Sequence, residues 1–329
     1  MTYFGGKRRV AAEVWRRFGD VPNYIEPFFG SGAVLLGRPE FDGNRIETVN
    51  DADGHLSNFW RALQADPDGV ARYASYPVSE LDLHARGDWL FYRPDVFEWV
   101  EQLRGDPDYY DVKSAGWWVW FVSCWIGSLP SIDKPQRKGG TVSRKLPHLG
   151  DAGRGVARQL PHLGNAGMGV HRSMPGDRRE HLTAYMRRLA ARLEWVRICC
   201  GDWSRVTGPS VTWKNGLTAV FLDPPYSHDE RAGQLYSTES ATVAAECREW
   251  AIANGDNPLM RIALCGYDTE HAMPDNWHAY AWKANGGYGS QSNGRGRVNK
   301  HREVIWFSPH CINPVDTLPL FAANGYTQS

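Results

Sequence analysis

The sequence predicts an α/β fold with a doubly wound, mostly parallel sheet and an inserted, mainly helical and loop-rich segment. Short apolar runs bounded by turn residues alternate with helical patterns, and this alternation stops between about residues 64 and 176. Strands that alternate with helices form parallel sheets that are covered on both faces. The predicted strands are Asn23–Ile25, Ile46–Asn50, Val196–Cys200, Ala219–Leu222, Arg261–Leu264 and Glu303–Phe307.

Apolar residues at helical spacing predict the helices between these strands. The clearest pattern places Leu182, Tyr185 and Leu189 on one helix face, with arginines elsewhere. Residues 114–132 carry no charge and are long enough to span a bilayer, but their four tryptophans, two glycines and proline favour a buried helix over a membrane span. The predicted helices are Arg8–Phe18, His55–Gln64, Trp117–Ile126, Arg179–Leu193 and Glu239–Ala253.

The break in the alternation predicts the domain organisation. We expect residues 1–63 and 177–310 to form the α/β domain, residues 64–176 to form an inserted domain, and residues 311–329 to form a C-terminal tail. An insertion of this length is large enough to have a role separate from that of the sheet.

The inserted segment contains an internal repeat. Residues 146–156 recur as residues 160–170, with nine of eleven positions identical. Two short copies are too few for a solenoid. The glycines therefore predict turns or a hairpin that presents His148, Arg154 and His162, and a duplicated loop without function is the alternative.

Charged residues are distributed unevenly, although the formal net charge is zero. Residues 40–111 contain 16 acidic and 6 basic side chains, whereas residues 134–197 contain 14 basic and 4 acidic ones. Residues 283–302 add five cations and no acid. Opposed blocks of this size indicate a surface that faces a polyanion such as nucleic acid, and two solvated faces of one domain are the alternative.

The six cysteines form no metal-binding or disulfide pattern. None belongs to a C-x-x-C pair, so we expect no metal site and a reducing, cytoplasmic environment. Residues 1–10 are polar and glycine-bearing, so we expect no signal peptide and no membrane attachment.

A glycine turn follows the first predicted strand, in the segment Ile25-Glu-Pro-Phe-Phe-Gly-Ser-Gly32. Glycines allow the backbone to approach a ligand closely, and a helix that begins at Ala33 supplies unpaired N–H groups. The third glycine of the dinucleotide motif is missing and Glu26 would repel a phosphate. We therefore expect a cationic or hydroxyl-rich ligand, with a tight connection that binds nothing as the alternative.

Residues 221–226 place an acid, two prolines and an aromatic ring at the end of an apolar strand. Because Pro224 and Pro225 cannot donate hydrogen bonds, backbone carbonyls remain available beside the Asp223 carboxylate. Such acceptors favour an amino group as ligand, and Tyr226 offers a flat face for stacking. A structural turn is the alternative for this motif alone.

Taken in order, the motifs resemble those of the Dam-type DNA adenine methyltransferases. Residues 3–7 are similar to the N-terminal F/W-x-G-G-K motif of that family, with a tyrosine in the first position, and residues 26–32 and 223–226 resemble its cofactor loop and its catalytic motif. Residues 49–51 resemble the acidic strand end that holds the cofactor ribose. Residues 201–203 resemble the motif whose acid contacts the cofactor adenine, although a Gly-Asp turn is the alternative.

This resemblance implies an α/β fold of the S-adenosylmethionine-dependent methyltransferase type and methylation of the exocyclic amine of adenine in double-stranded DNA. It also implies S-adenosylmethionine as the cofactor, no metal, the α/β domain as the catalytic domain and the inserted domain as the target-recognition domain. The implied catalytic residues are Asp223, Pro224, Pro225 and Tyr226. The implied cofactor-binding residues are Tyr3, Phe4, Gly5, Gly6, Lys7, Glu26, Pro27, Phe28, Gly30, Ser31, Gly32, Asp51, Asp202, Trp203 and Asp223.

The basic block predicts where DNA is bound, because cations that track phosphates supply most of the affinity for nucleic acid. An adenine must leave the duplex to reach the catalytic motif. A restriction endonuclease is a further partner that the resemblance allows. Methylation of adenine in RNA and a catalytically silent DNA-binding module are the alternatives, and the complete catalytic motif argues against the second. The candidate DNA-binding residues are Arg144, Lys145, His148, Arg154, Arg158, His162 and Arg172.

Overall fold

The computed structural model describes residues 7–40, 43–106, 108–125, 178–225, 235–268, 270–282 and 303–313. Seven strands lie within these residues: β1 (Asn23–Glu26), β2 (Ile46–Asp51), β3 (Arg197–Cys200), β4 (Thr218–Leu222), β5 (Met260–Tyr267), β6 (His278–Trp282) and β7 (Glu303–Phe307).

The strands form one sheet in the order β3-β2-β1-β4-β5-β7-β6. The first five of these are mutually parallel, whereas β7 runs antiparallel to both of its neighbours. The predicted fold class, a doubly wound and mostly parallel sheet, is therefore confirmed. Such a sheet places the carboxyl ends of its parallel strands at one edge, where ligands bind in open α/β folds.

Helices occupy both faces of the sheet, as expected for parallel strands. A 3-10 turn at Lys7–Arg9 precedes the first helix, so the helix that we predicted from Arg8 begins at Ala11. The helices within the described residues are α1 (Ala11–Phe18), α2 (Ala33–Leu36), α3 (Gly54–Ala65), α4 (Pro67–Ala74), α5 (Glu80–Tyr92), α6 (Val96–Gly105), α7 (Val112–Cys124), α8 (Arg178–Leu193) and α9 (Leu235–Gly255).

The central strands divide the interior into two cores. Tyr24 of β1 packs into one core and the adjacent Ile25 into the other, because successive side chains of a strand point to opposite faces. Phe221 and Leu222 of β4 follow the same alternation. These strands are buried on both sides, which explains why their sequences are almost continuously apolar.

The helices α4, α5 and α7 lie in the segment that we predicted to be an insertion, and they contribute to the same core as α3 and α8. The buried helix predicted at Trp117–Ile126 is α7. It begins earlier than predicted, because the Asp111 carboxylate accepts the Ser114 N–H and caps the helix at that point. The division of the chain at residues 63 and 177 stays a prediction.

One strand was absent from the prediction. The strand β6, at the outer edge of the sheet, has the sequence His-Ala-Tyr-Ala-Trp and leaves most of its side chains at least partly exposed. An edge strand needs no continuous apolar run, so it produces only a weak sequence signal.

No helix in the described part of the chain is long and apolar enough to cross a membrane. The uncharged stretch that begins at Ser114 instead forms part of the buried helix α7, in which Trp118 and Trp120 are fully buried.

Candidate functional site

Four acidic residues from the predicted site lie at the carboxyl edge of the sheet. Glu26 ends β1 and Asp51 ends β2, whereas Asp223 directly follows β4 and Asp202 lies two residues after β3. Because β3, β2, β1 and β4 are adjacent and parallel, the fold brings these carboxylates to one side of the molecule. The sequence motifs therefore belong to a single region.

The loop after β1 is joined to the end of β2. The Gly30 N–H donates a hydrogen bond to Asp51 Oδ2 at 3.0 Å. Gly30 and Gly32 have φ angles of 47° and 66°, which side chains other than glycine adopt at a steric cost. A Cβ on Gly32 would lie 2.7 Å from the Phe29 ring. Both glycines are thus required by the shape of this loop.

Asp51 is held from both sides. Its Oδ1 accepts the Asp53 N–H at 3.0 Å. Burial raises the pKa of the Asp51 carboxyl above its usual value, and the N–H groups of Asp53 and Gly30 partly counter this rise. An ionised carboxylate has about four acceptor positions, so these bonds leave capacity for hydroxyl groups of a ligand.

Asn50 belongs to the predicted motif at residues 49–51, and its side chain joins two loops of the site. Its Nδ2 donates to the Pro27 carbonyl at 3.1 Å and to the Gly201 carbonyl at 2.9 Å. It therefore links the loops after β1 and β3 across the end of β2. In the sequence, only its position in Val49-Asn50-Asp51 indicated that Asn50 belongs to the site.

Glu26 is buried beneath the glycine loop. Its Oε2 accepts the Tyr24 hydroxyl at 2.8 Å and the Leu35 N–H at 3.2 Å. Burial, with Asp223 and Asp51 nearby, raises the pKa of the Glu26 carboxyl to about 8. A cationic ligand would favour the ionised form of this group, in keeping with the cationic ligand expected from the sequence.

The Gly-Asp motif after β3 forms a capped turn, which was the alternative considered for it, and its role in cofactor binding stays a prediction. Asp202 is exposed, and its Oδ1 accepts the Ser204 N–H at 2.9 Å, which caps the 3-10 turn Trp203–Val206. The buried Trp203 ring stacks against Phe28 from the loop after β1, with ring centroids 6.3 Å apart. A capping role for Asp202 does not prevent the same carboxylate from binding a ligand.

Asp223 lies beside a buried lysine. The Lys7 ammonium is 3.0 Å from Asp223 Oδ1 and 3.4 Å from Glu303 Oε2. Burial disfavours the charge on Lys7, but the neighbouring carboxylates outweigh it and hold the pKa of Lys7 above its ordinary value. Glu303, the first residue of β7, was predicted only as part of a strand. Lys7 and Glu303 are 296 positions apart, so no local pattern could pair them.

Several predicted site residues lie outside the described residues and keep the status of sequence predictions. In the described ranges, no group of three or more His, Cys, Asp or Glu side chains could hold a metal ion. The predicted residues outside these ranges are Tyr3, Phe4, Gly5, Gly6 and Tyr226, together with Arg144, Lys145, His148, Arg154, Arg158, His162 and Arg172.

The mostly parallel sheet and the acidic residues at its carboxyl edge define an α/β protein of the S-adenosylmethionine-dependent methyltransferase fold. Residues 3–114 match the family model of the D12 class N6 adenine-specific DNA methyltransferases, in agreement with the family that the motifs resemble. This match supports the prediction that the protein is an enzyme, a DNA methyltransferase specific for adenine. The match includes the motifs at residues 3–7, 26–32 and 49–51. A comparison with curated proteins gives no match for the chain.

Proposed function

We propose that the protein transfers a methyl group from S-adenosylmethionine to the exocyclic amine of an adenine that has been flipped out of double-stranded DNA. The observation that carries this proposal is the position of Asp223 at the end of β4, directly beside the end of β1 and its glycine loop. The match of residues 3–114 to this methyltransferase family supports the reaction and the DNA substrate. The cofactor, the flipped base and the residue roles form the proposal.

The side chains at the carboxyl edge fit this cofactor. Glu26 is buried and Asp51 is half-buried, and Asp223 raises the pKa of Glu26, so the edge favours a ligand with positive charge. Asp51 would accept hydrogen bonds from ribose hydroxyls, and Trp203 and Phe28 offer aromatic surface for a purine. When bound, S-adenosylmethionine supplies an electrophilic methyl group on a sulfonium.

The residues after β4 would prepare the amine for this methyl group. The lone pair of the adenine amine is delocalised into the ring, which makes the amine a poor nucleophile. In our proposal the Asp223 carboxylate and the Pro224 carbonyl accept its two N–H groups, favouring a geometry that frees the lone pair. Correct placement of the two reactants contributes much of the rate. We assign Tyr226 to stacking with the extruded base.

The direct test is transfer of a labelled methyl group from S-adenosylmethionine to duplex DNA, followed by identification of the modified base. We expect N6-methyladenine in DNA and much less label in RNA of the same sequence. Sequencing DNA from cells that express the protein, with detection of methylated adenine, would give the target sequence. Label in another base, or transfer to RNA alone, would contradict the proposal.

The acids at the ends of β2 and β3 provide a prediction about the cofactor. We expect Asp51→Ala and Asp202→Ala each to weaken binding of S-adenosylmethionine by roughly tenfold to a hundredfold, the usual effect of losing a hydrogen bond to a charged group. DNA affinity should change much less. Calorimetric titration with S-adenosylmethionine measures the cofactor affinity of both variants.

A matched control is Asp20→Ala, because Asp20 is an exposed acid just before β1, at the opposite edge of the sheet. Asp51→Asn keeps one acceptor oxygen for Gly30 and separates the loss of charge from collapse of the loop. Unchanged cofactor affinity in both alanine variants would refute the placement of the cofactor.

We also propose that the inserted segment selects the DNA sequence, since the arginines and histidines of its internal repeat lie in the basic block at residues 134–197. Arg154 occupies a repeat position where the second copy has Met168, so the copies cannot make identical contacts. We expect Arg154→Ala to relax specificity at one base pair by about 1–3 kcal/mol, with cofactor affinity unchanged. Methylation of matched and single-mismatch duplexes at two salt concentrations measures this effect. An arginine that contacts only phosphate would weaken all sequences alike.

The cysteines support a reducing compartment, and we propose the cytoplasm. All six lie within the described residues, none of them forms a disulfide bond, and only Cys199 is more than slightly exposed. Cysteines outside disulfide bonds are typical of proteins kept in a reducing environment.

A further inference from the structure

Lys7, Asp223 and Glu303 form a compact ionic group at the carboxyl edge of the sheet, which we call the ionic triad. The Lys7 ammonium contacts Asp223 Oδ1 at 3.0 Å and Glu303 Oε2 at 3.4 Å. The Trp282 ring of β6 lies 5.5 Å from the same ammonium. The 3-10 turn, the end of β4, the start of β7 and the end of β6 thus converge on a single cation.

The triad is largely removed from water. The side chains of Lys7, Glu303 and Asp223 are 5%, 14% and 21% exposed. Charges in such surroundings interact more strongly than charges on the surface, and each one requires compensation. With both carboxylates ionised the triad has one net negative charge, so the acids more than neutralise the lysine.

This balance matters for methyl transfer from a sulfonium, in which donor and substrate meet near Asp223. A lysine paired with Asp223 alone would bind that carboxylate tightly and compete with the adenine amine for it. It would also repel the positively charged methyl donor. A second carboxylate on Lys7 reduces both effects.

We propose that Glu303 is a positioning residue of the methyltransferase, which acts through Lys7 to hold Asp223 in place and to cancel the lysine charge facing the methyl donor. This inference rests on the proposed function, because it presupposes a sulfonium cofactor and Asp223 as the acceptor of the amine. Glu303 itself touches neither reactant in this account. Unlike the predicted site residues, Glu303 belongs to none of the sequence motifs.

The first test is Glu303→Gln, which keeps the shape of the side chain and removes its charge. We expect kcat to fall roughly tenfold to a hundredfold, the range for a hydrogen bond between charged groups, while KM for DNA changes less than about twofold. Glu303→Asp retains the charge and should recover part of kcat. A kcat for Glu303→Gln equal to that of the wild type overturns the proposal.

The second test asks whether Glu303 acts through Lys7. Once Lys7→Met has removed the cation, adding Glu303→Gln should cause no further loss of kcat, because the contact through which Glu303 acts no longer exists. Losses that multiply, as they do for independent sites, would contradict the proposal.

The third test measures ligand binding instead of turnover. It needs no Lys7 variant, so it can be used even if Lys7→Met folds poorly. Calorimetry compares the affinities of Glu303→Gln for S-adenosylmethionine and for S-adenosylhomocysteine, whose sulfur is neutral. Loss of one nearby negative charge should lower the preference for the sulfonium by roughly several-fold. An unchanged ratio overturns the charge-balancing role.

The matched control is Glu47→Gln. Glu47 is also a buried carboxylate with two cationic partners, Arg38 and Arg192. It lies near the start of β2, away from the carboxyl edge. We expect this variant to lose thermal stability without the loss of kcat or the change in ligand preference.

The results distinguish the two proposals. If the wild-type protein does not methylate adenine in DNA, the proposed function is refuted. If the wild type is active and Glu303→Gln behaves identically, only the role of Glu303 is refuted.

Discussion

Asp223→Ala should lower the rate of methyl transfer to adenine by about a hundredfold to a thousandfold or more, the range seen when one group that stabilises a transition state is removed. The reason is that the variant lacks the carboxylate that accepts the amine. A single-turnover assay with labelled cofactor and duplex DNA measures the chemical step separately from binding. Transfer within about tenfold of wild type, a barrier change below about 1.4 kcal/mol, would show that Asp223 is not catalytic.

The variant should remain folded, because Lys7 keeps Glu303 as a partner when Asp223 is lost. Asp223→Asn is a second variant of nearly the same shape, which keeps one acceptor oxygen and replaces the other with a donor NH2 group. Asp20→Ala again serves as the control, since it removes an exposed acid from the far edge of the sheet. Circular dichroism and cofactor titration of all three variants would separate loss of chemistry from loss of structure.

The parts of this fold that were predictable from sequence are those with a local cause. The apolar runs of β1 and β4 are buried on both faces, and burial on both faces demands continuous hydrophobicity. The glycines of the loop after β1 were likewise recognisable, because positive φ angles at Gly30 and Gly32 leave little choice of residue. Such constraints act within a few residues of the chain.

The parts that escaped prediction depend on distant partners. The pairing of Glu303 with Lys7 follows from the register of β7 against β5, where Glu303 lies opposite Tyr267. Asn50 joins two loops that only the sheet order brings together. The edge strand β6 forms because β7 offers it hydrogen-bonding groups, and its own sequence alternates too weakly to predict a strand. In each case the sheet topology supplies what the sequence pattern lacks.

Acid should destabilise the protein through His55, and this is the second large effect that we expect. His55 lies in the first turn of α3 and is fully buried. It packs against the rings of Phe91 and Trp99, and its Nε2 is 3.0 Å from the Leu90 carbonyl. A neutral imidazole with a proton on Nε2 donates this bond. His55 thereby joins α3 to α5 and α6.

Burial lowers the pKa of His55 to about 3, and the nearby positive charge of Arg93 adds to the effect. An unfolded chain would bind the same proton near pH 6.5. As the pH falls from about 6.5 towards 3, His55 therefore binds a proton in the unfolded state but not in the folded state. The contribution of neutral His55 to the free energy of unfolding is complete above about pH 6.5. It is lost between about pH 6.5 and 3, at up to about 1.4 kcal/mol per pH unit.

The measurement is the free energy of unfolding from urea titrations at several pH values between 7.5 and 4.5, for wild type and for His55→Gln. Glutamine can still donate to the Leu90 carbonyl but carries no titrating group. We expect His55→Gln to be less stable than wild type at pH 7.5, because its packing against Phe91 and Trp99 is poorer. Its stability should nevertheless fall less steeply with acid, so that the difference narrows by about 2 kcal/mol or more near pH 4.5.

His278→Gln is the matched control, because His278 is an exposed histidine at the start of the edge strand β6. This variant should follow the wild-type pH dependence throughout, whatever the other titrating groups contribute, since each comparison is a difference from wild type. A His55→Gln variant whose stability fell as steeply as that of wild type would mean that His55 binds its proton equally well in the folded and unfolded chains. In that case the contact between α3 and the helices α5 and α6 would not be the acid-sensitive point of the fold.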